Sequence, residues 1–553
     1  MKRRNSLLLW KSRQCLSADG YTASIISVPT HDEAMMNQGR YISRSARYWP
    51  DRAAILFNDR TITYRELDER SNRLANALLS LGAKKGDRVA IQSWNRPELI
   101  EIECALYKAG LVKVALNARL SLSETIETVN NSQAEILIAG PAHVNAALAF
   151  RSQTLSLRQF IAIDGGPPDF LSYEALLARA SDVNPDVEMT SDDLAVLHFT
   201  SGSTGKLKAA MQTVGNRMAS LRKVIMGRLR LQPGDVLALA APVTHASGMF
   251  VQPCLYQGGT VLLHERFDPE SFLASIERHR VTACFLVPTM INMLVTHPRV
   301  KDFDLSSLRL VTYGSAPIAP SRIREAWEVL GPVLSQGYGA GETTGGLVIL
   351  STEDHKVAIE KGREELLSSC GRLFGESELR VVDEAGKDVE PGEIGEIIIR
   401  GPDVFAGYWR EPELTAAAIK DGWLHTGDLA RVDAFGYLYI VDRKKEMIIS
   451  GGFNVYPSEI EQVLYRHPAV YEACVVGVPD SKWGEAIKAV IVLRDGHATT
   501  EDELIEHCRD YLADFKKPRS IDFVEALPKN ANGKLSRKEV KERYWAGEAR
   551  RVA

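Results

Sequence analysis

From Thr63 to Gly82 the apolar positions fall at helical spacing. Leu67, Leu74, Leu78 and Leu81 share one face, Thr63 and Glu66 form a capping-box pattern, and Gly82 supplies the stop, so a helix is predicted there. The apolar run RVAIQS comes next, then a second helical pattern from Pro97 to Ala109 ended by Gly110, then LVKVALN. Strand, helix and strand of these lengths make a βαβ unit and hence a parallel sheet. The rhythm recurs through LAVLHF, VLALA, VTACFLVP and LRLVTYG, each followed by a turn marked by glycine or proline. The expected fold class is therefore α/β, with a large N-terminal domain of layered α/β subdomains.

After about residue 370 the texture changes to the closely spaced strands ELRVVD, GEIIIRG and GYLYIVD, separated by PGE and DAFG turns, which predicts a small β-barrel-like subdomain. Past Asp442 the pattern returns to α+β. A boundary inside VDRKKE divides the chain into an N-terminal domain over 36–441 and a smaller C-terminal domain over 442–553, of ordinary domain size. Residues 1–35 differ in composition from the rest of the chain and are expected to form a disordered leader, with Met35 and Met36, where a true start would fall, just ahead of the globular pattern.

Composition narrows the function. A net charge of −4 on 553 residues, with no basic stripe, argues against nucleic acid. The seven cysteines, Cys15, Cys104, Cys254, Cys284, Cys370, Cys474 and Cys508, include no CxxC pair, which fits buried thiols in the cytoplasm. The apolar run in MKRRNSLLLW is about four residues, shorter than the roughly 7 a signal peptide needs. No window approaches the roughly 20 apolar residues of a membrane span.

The chemistry gathers in loops. In TSGSTGKLK, backbone N–H groups freed by Gly202 and Gly205 and the hydroxyls of Thr200, Ser201, Ser203 and Thr204 are suited to wrap a polyphosphate, with charge from Lys206 and Lys208. A Walker A loop would need glycine at 200 and Ser or Thr at 207, where this chain has Thr200 and Leu207. Four further segments stand in fixed order around it: PVTHASG at 242–248, QGYGAGETTG at 336–345, HTGDLARVDAFGYLYIVDRKKEMIISGGFNVYPSEIE at 425–461, and PKNANGK at 528–534. Together, from about residue 40 to 545, they resemble the adenylate-forming superfamily of acyl-CoA synthetases, luciferases and peptide-synthetase adenylation domains.

The resemblance implies an AMP-forming acid:CoA ligase using ATP, Mg²⁺ and coenzyme A. It casts the 200–208 loop as the cradle of the β- and γ-phosphates, Glu342 as the magnesium ligand and Tyr338, between Gly337 and Gly339, as an aromatic face for adenine. The strip Gly314, Ser315, Ala316 and Pro317 would lie against the adenine. Asp428 would accept the ribose hydroxyls and Arg443 would reach the same ribose. Lys534 would stand between the attacking carboxylate and the α-phosphate, although a lysine in a glycine turn is ordinarily a solvated charge. Asp442 takes the position of a hinge about which the C-terminal domain turns, bringing Ser450, Gly451 and Gly452 to a pantetheine channel.

For the acid, His245 resembles a position beside the acyl carboxylate, and Met249, Phe250, Ala340 and Gly341 would border an apolar pocket. The small residues at 337–346 leave space, which favours a medium- or long-chain fatty acid, with an aryl acid second. Transfer to an amine or a carrier-protein thiol, or a scaffold without turnover, are the alternatives. No nucleic acid and no membrane span is expected, and the protein is read as a monomer or homodimer. Three positions depart from the family pattern: Gly341 replaces a threonine that binds an α-phosphate oxygen, Leu207 replaces proline and Ala209 replaces glycine. The hydrogen bond lost at Gly341 is missing unless Thr343 or water supplies it.

Overall fold

The helix expected after Thr63 forms over Tyr64–Ser80, and both halves of its capping box are made: the Thr63 hydroxyl accepts from the Glu66 N–H, and the Glu66 carboxylate accepts from the Thr63 N–H. Pro97–Ala109 is likewise helical, with proline in the first turn and Gly110 closing the helix at φ 66°, a left-handed conformation that suits glycine. The computed structural model describes residues 37–201, 207–529 and 535–545, so the expected leader lies outside the described residues.

Two largely parallel sheets form the body. One runs in the order Leu171–Ser172, Gln159–Ala162, Ile136–Ala139, Arg88–Gln92, Val112–Leu116, Leu194–Ser201, Leu207–Thr213, with the last strand antiparallel. The other is centred on Val236–Leu239, Ala283–Leu286, Leu310–Gly314 and Leu334–Ala340, which pair in parallel, and it turns antiparallel where Gly345–Leu350 folds back on Leu334–Ala340. Central strands such as Ile136–Ala139 and Ala283–Leu286 are apolar and buried throughout, as parallel strands covered on both faces require.

The closely spaced strands after residue 370 form a five-stranded antiparallel sheet, Glu378–Val382, Gly395–Arg400, Trp423–Val432, Ile419–Lys420 and Leu438–Arg443. Asp442 is the penultimate residue of its last strand, and the next strand, Ile448–Ser450, already belongs to a different sheet with Phe453–Val455, Gly484–Leu493, Val470–Asp480 and Ser520–Phe523. The chain thus changes sheets within the segment where the sequence places the domain boundary. The described cysteines, from Cys104 to Cys508, are all buried and unpaired. Among the described residues no helix is long and apolar enough to cross a membrane.

Candidate active site

Glycine and strand register build the site's floor. Leu310–Gly314 and Leu334–Ala340 lie in parallel with Gly314 opposite Gly337, and a Cβ at Gly314 would overlap the Gly337 carbonyl. Beyond the strand, Ser315 adopts φ 71°, a left-handed conformation rare for a residue with a side chain, so the start of the Ser315–Pro317 strip is held in a strained backbone. Where Leu334–Ala340 ends, one turn of 3₁₀ helix, Gly341–Thr343, carries Glu342.

Glu342 is positioned by a residue that the motifs did not single out. Segment 405–409 runs beside strand Leu207–Thr213, with Ala406 N–H donating to Met211 O at 2.9 Å and Trp409 N–H to Ala209 O at 2.9 Å, while Phe405 N–H donates to Glu342 O at 2.8 Å. This brings the Tyr408 hydroxyl to 2.9 Å from Glu342 Oε1 and sets Lys208 Nζ 5.4 Å from the Tyr408 ring centroid, within cation–π range. Burial and the Glu342 charge push the Tyr408 hydroxyl's pKa up, so it remains a donor. The only sequence signal for Tyr408 was an aromatic pair, Tyr408 and Trp409, in a stretch without periodicity.

Asp428 is also held from two sides. Tyr338 donates its hydroxyl to Asp428 Oδ2 at 2.6 Å, and Arg443 Nε lies 3.1 Å from Asp428 Oδ1. The strand pairing that sets Asp428 opposite Arg443 explains why a motif aspartate and a boundary arginine meet. Burial first and the Asp428 charge second push the Tyr338 hydroxyl well above its ordinary pKa. Each carboxylate oxygen retains lone-pair capacity beyond one donor, so the pair of hydroxyls on a ribose fits this cradle. A single carboxylate at Glu342 fits Mg²⁺, which takes one or two protein carboxylates and completes its shell with phosphate oxygens and water.

His245 heads the 3₁₀ turn Ala246–Phe250, with its Nδ1 2.9 Å from the Thr244 hydroxyl and its ring edge-on to His198 at 5.7 Å. Buried Asn95 braces this turn, accepting from Val243 N–H at 2.9 Å and donating to Ala241 O at 2.9 Å.

The expected acyl pocket differs from the sequence reading. Three of the glycines in 337–346 are covered on the side where a side chain would stand: a Cβ at Gly345 would stand 2.6 Å from Met249 Cε, one at Gly346 would stand 2.9 Å from Arg228 Nη1, and one at Gly337 would overlap the same guanidinium. Phe250, expected at the pocket's border, is 3% exposed and stacks on Phe285 at 5.0 Å. Ala340 is exposed, and Gly341 O accepts from Gln212 Nε2 at 2.9 Å. Thr343 does not replace the hydroxyl missing at Gly341: it is buried, accepting from Ala340 N–H at 2.9 Å and donating to Gly345 O at 2.8 Å within its own turn.

Lys534 and Gly202, Ser203, Thr204, Gly205 and Lys206 lie outside the described residues, as do the side chains of Thr200 and Ser201. Their flanks are set. Ser201 pairs with Leu207 across two antiparallel strands, and Lys529 bridges Leu535. Ser450 pairs with Phe453, leaving Gly451 and Gly452 at φ 59° and 84° as a two-residue hairpin turn, and a Cβ at Gly451 would stand 2.5 Å from the Trp483 ring. Asp442 is 5% exposed; its carboxylate accepts from Arg443 N–H at 2.7 Å and Ser458 N–H at 2.9 Å, the latter in the first turn of helix Pro457–Leu464. It therefore ties the strand before the boundary to the helix after it.

Comparison with known proteins agrees with this geometry. Residues 42–409 match the family model of the AMP-binding enzymes, and residues 459–534 match that of the AMP-binding enzyme C-terminal domain. A feruloyl-CoA synthase of Amycolatopsis sp is 40% identical, the alignment covering 92% of this chain and 100% of that protein. A medium/long-chain-fatty-acid–CoA ligase of Mycobacterium tuberculosis is 36% identical over 96% of this chain and 93% of its own length. Among solved structures, an amide bond synthetase from Marinactinospora thermotolerans superposes with a TM-score of 0.83 at 31% identity, covering 92% of this chain and 100% of that one.

Proposed function

The chain belongs to the AMP-binding enzymes, as an AMP-forming acyl-CoA synthetase that draws on ATP, Mg²⁺ and coenzyme A, and we propose how its own residues divide that work. The acid's carboxylate attacks the α-phosphate of ATP and pyrophosphate leaves. The thiol of coenzyme A then displaces AMP, leaving a thioester. Negative charge is concentrated and shed in both halves, so fixed cations and N–H donors carry most of the protein's contribution.

Asp428 receives the ribose, steadied by Tyr338 and Arg443, and the tyrosine ring offers the adenine an apolar face. Glu342, fixed by the Tyr408 hydroxyl, holds Mg²⁺, which would neutralise phosphate charge. Lys208 and the 200–206 loop receive the phosphates, and Lys534 stands at the attacking carboxylate. Asp442 is the hinge, with Ser450, Gly451 and Gly452 on the face that meets coenzyme A. His245 orients the acyl carboxylate. The observation that carries this reading is that Tyr338 and Glu342, from one segment, meet Asp428 and Arg443, from two paired strands, with both carboxylates already held by donors and Arg443 within reach of the charge of each.

For the acid we propose an aryl acid over a fatty acid. The named relatives include both kinds, but a charged guanidinium and Met249, not open space, cover Gly337, Gly345 and Gly346, which disfavours the long hydrocarbon on which the fatty-acid preference rested. Incubation with ATP, Mg²⁺, coenzyme A and a panel of aryl and aliphatic acids is expected to yield AMP, pyrophosphate and thioester in equal amounts, fastest with an aryl acid. No pyrophosphate release with any acid would sink the ligase reading. The amide bond synthetase among the structural neighbours favours one second reading, transfer to an amine; replacing coenzyme A by an amine in the same assay separates the two.

A further inference from the structure

Arg228 ends the helix Val214–Gly227 and is 8% exposed, yet no carboxylate pairs with it among the described residues. Its Nη2 donates to the Thr312 hydroxyl and lies 3.5 Å from Tyr313 O, and its Nε is buried without a partner. Nη1 has no hydrogen-bond partner among the described residues and faces Gly337 and Gly346. Burial pulls its pKa down to about 10, so it stays charged at neutral pH. An arginine keeps five donors in a rigid fork, and leaving them unmade in a buried place is costly unless something arrives to use them.

The surroundings say what arrives. The guanidinium carbon lies 5.3 Å from the Phe250 ring centroid, and Met249 covers the neighbouring glycine on the same hairpin. Phe250 closes the five-residue turn that His245 heads. The guanidinium thus stands beside two residues of the turn headed by the histidine expected at the acyl carboxylate, and both were expected to border the acyl pocket.

We propose that Arg228 is a specificity-determining residue whose guanidinium binds an oxygen at the far end of the acyl group, so that the preferred acid is an aryl acid bearing a hydrogen-bond-accepting oxygen remote from its carboxylate. The proposal rests on the ligase reading above and names the substrate class of the same pocket. A hydrocarbon chain would bury the fork with no acceptor and would be discriminated against.

The test is a matched panel: cinnamic acid, 4-hydroxycinnamic acid, 4-carboxycinnamic acid and decanoic acid, assayed with the wild-type protein and with Arg228→Met. The wild type is expected to favour the better of the two oxygen-bearing acids over cinnamic acid by at least about tenfold in kcat/KM, the size of one hydrogen bond to a charged group. The hydroxyl and carboxyl arms identify which oxygen is read. In R228M the ratio is expected to fall to about one. A wild-type ratio near one, or an undiminished ratio in R228M, overturns the proposal, and the wild-type ratio decides even where the variant does not fold. Thioester from cinnamic or decanoic acid at that stage keeps the ligase reading standing; no thioester from any acid removes both.

Discussion

Two arginines, Arg228 buried and Arg537 mostly so, sit in opposite electrostatic surroundings. Arg537, in the C-terminal domain, places Nη2 at 2.7 Å from both oxygens of Glu461, bonds Glu446 through Nη1 and has Asp442 within 4.0 Å. Arg228, in the body, has a threonine hydroxyl and a distant carbonyl. Burial acts against the charge of both, but the carboxylates around Arg537 hold its pKa well above the ordinary value, while around Arg228 nothing offsets burial and the pKa falls. The Nε of each is buried without a partner, so the carboxylates make the difference: a cation whose charge is met within the fold has a structural task. A cation buried without them is kept for something that the fold does not contain.

The contrast predicts unequal costs of removal, the largest at Arg537. Arg537→Ala leaves Glu461, Glu446 and Asp442 crowded and uncompensated, and breaking a buried pair from one side costs about 3–5 kcal/mol. Because Asp442 links the strand Leu438–Arg443 to the helix Pro457–Leu464, the loss is expected to loosen the C-terminal domain first. Urea unfolding followed by a C-terminal probe should show an earlier transition for R537A. R228M should unfold with wild type or later, since an apolar side chain there relieves a desolvated charge. If the two variants were destabilised equally, the division of the arginines into structural and ligand-binding would fail.

A second contrast separates holding from chemistry within a single segment. Lys534 lies three positions before Arg537, and the described residues on either side of it, Lys529 and Leu535, pair in a β-bridge. Lys534→Ala is expected to leave unfolding unchanged and to lower adenylation by about 10²–10³-fold, the effect of removing one preorganised donor from a developing charge. Thioester formation from preformed acyl adenylate should survive. Acid-dependent pyrophosphate exchange measures the first half and thioester from the adenylate the second; a variant impaired equally in both would assign Lys534 a positional role instead.

How far the sequence carried these distinctions depended on range. The Thr63–Glu66 capping box and the proline and glycine at the ends of Pro97–Ala109 are local, and each was legible because a few adjacent residues determine it. The family motifs likewise brought Glu342, Asp428 and Tyr338 to notice. Tyr408, Asn95, Arg228 and Arg537 went unnoticed because their meaning lies in partners far along the chain. Nothing near Arg228 in VIMGRLRL distinguishes it from Arg230, which turns back to Met226 O on the surface while Arg228 reaches Thr312. The covering of Gly337, Gly345 and Gly346 was hidden for the same reason, since the sequence shows that glycines leave room but not which distant side chain stands over them.

Arg217 lies between the two extremes and gives the smallest and most controlled test. Its Nη2 is 3.7 Å from Glu103 Oε1 and its Nη1 is 3.7 Å from the Met249 sulfur, so one carboxylate, shared with Lys113 and with the Tyr107 hydroxyl at 3.2 Å, stands between Arg217 and the condition of Arg228. Burial pushes the Glu103 carboxyl up, but Lys113 and Arg217 outweigh it and hold its pKa below the ordinary 4.5. A carboxyl with a lowered folded pKa adds stability above its unfolded value and gives it up as pH falls through the folded one. Glu103→Gln should therefore be less stable than wild type by about 1.5–3 kcal/mol at neutral pH, with the gap narrowing as the pH is taken below 4.5 and the wild-type carboxyl takes up its proton. Denaturant midpoints of both proteins across that range measure it; a gap independent of pH would mean that the charge at Glu103 does not hold Arg217, and the graded series of arginines would lose its middle member.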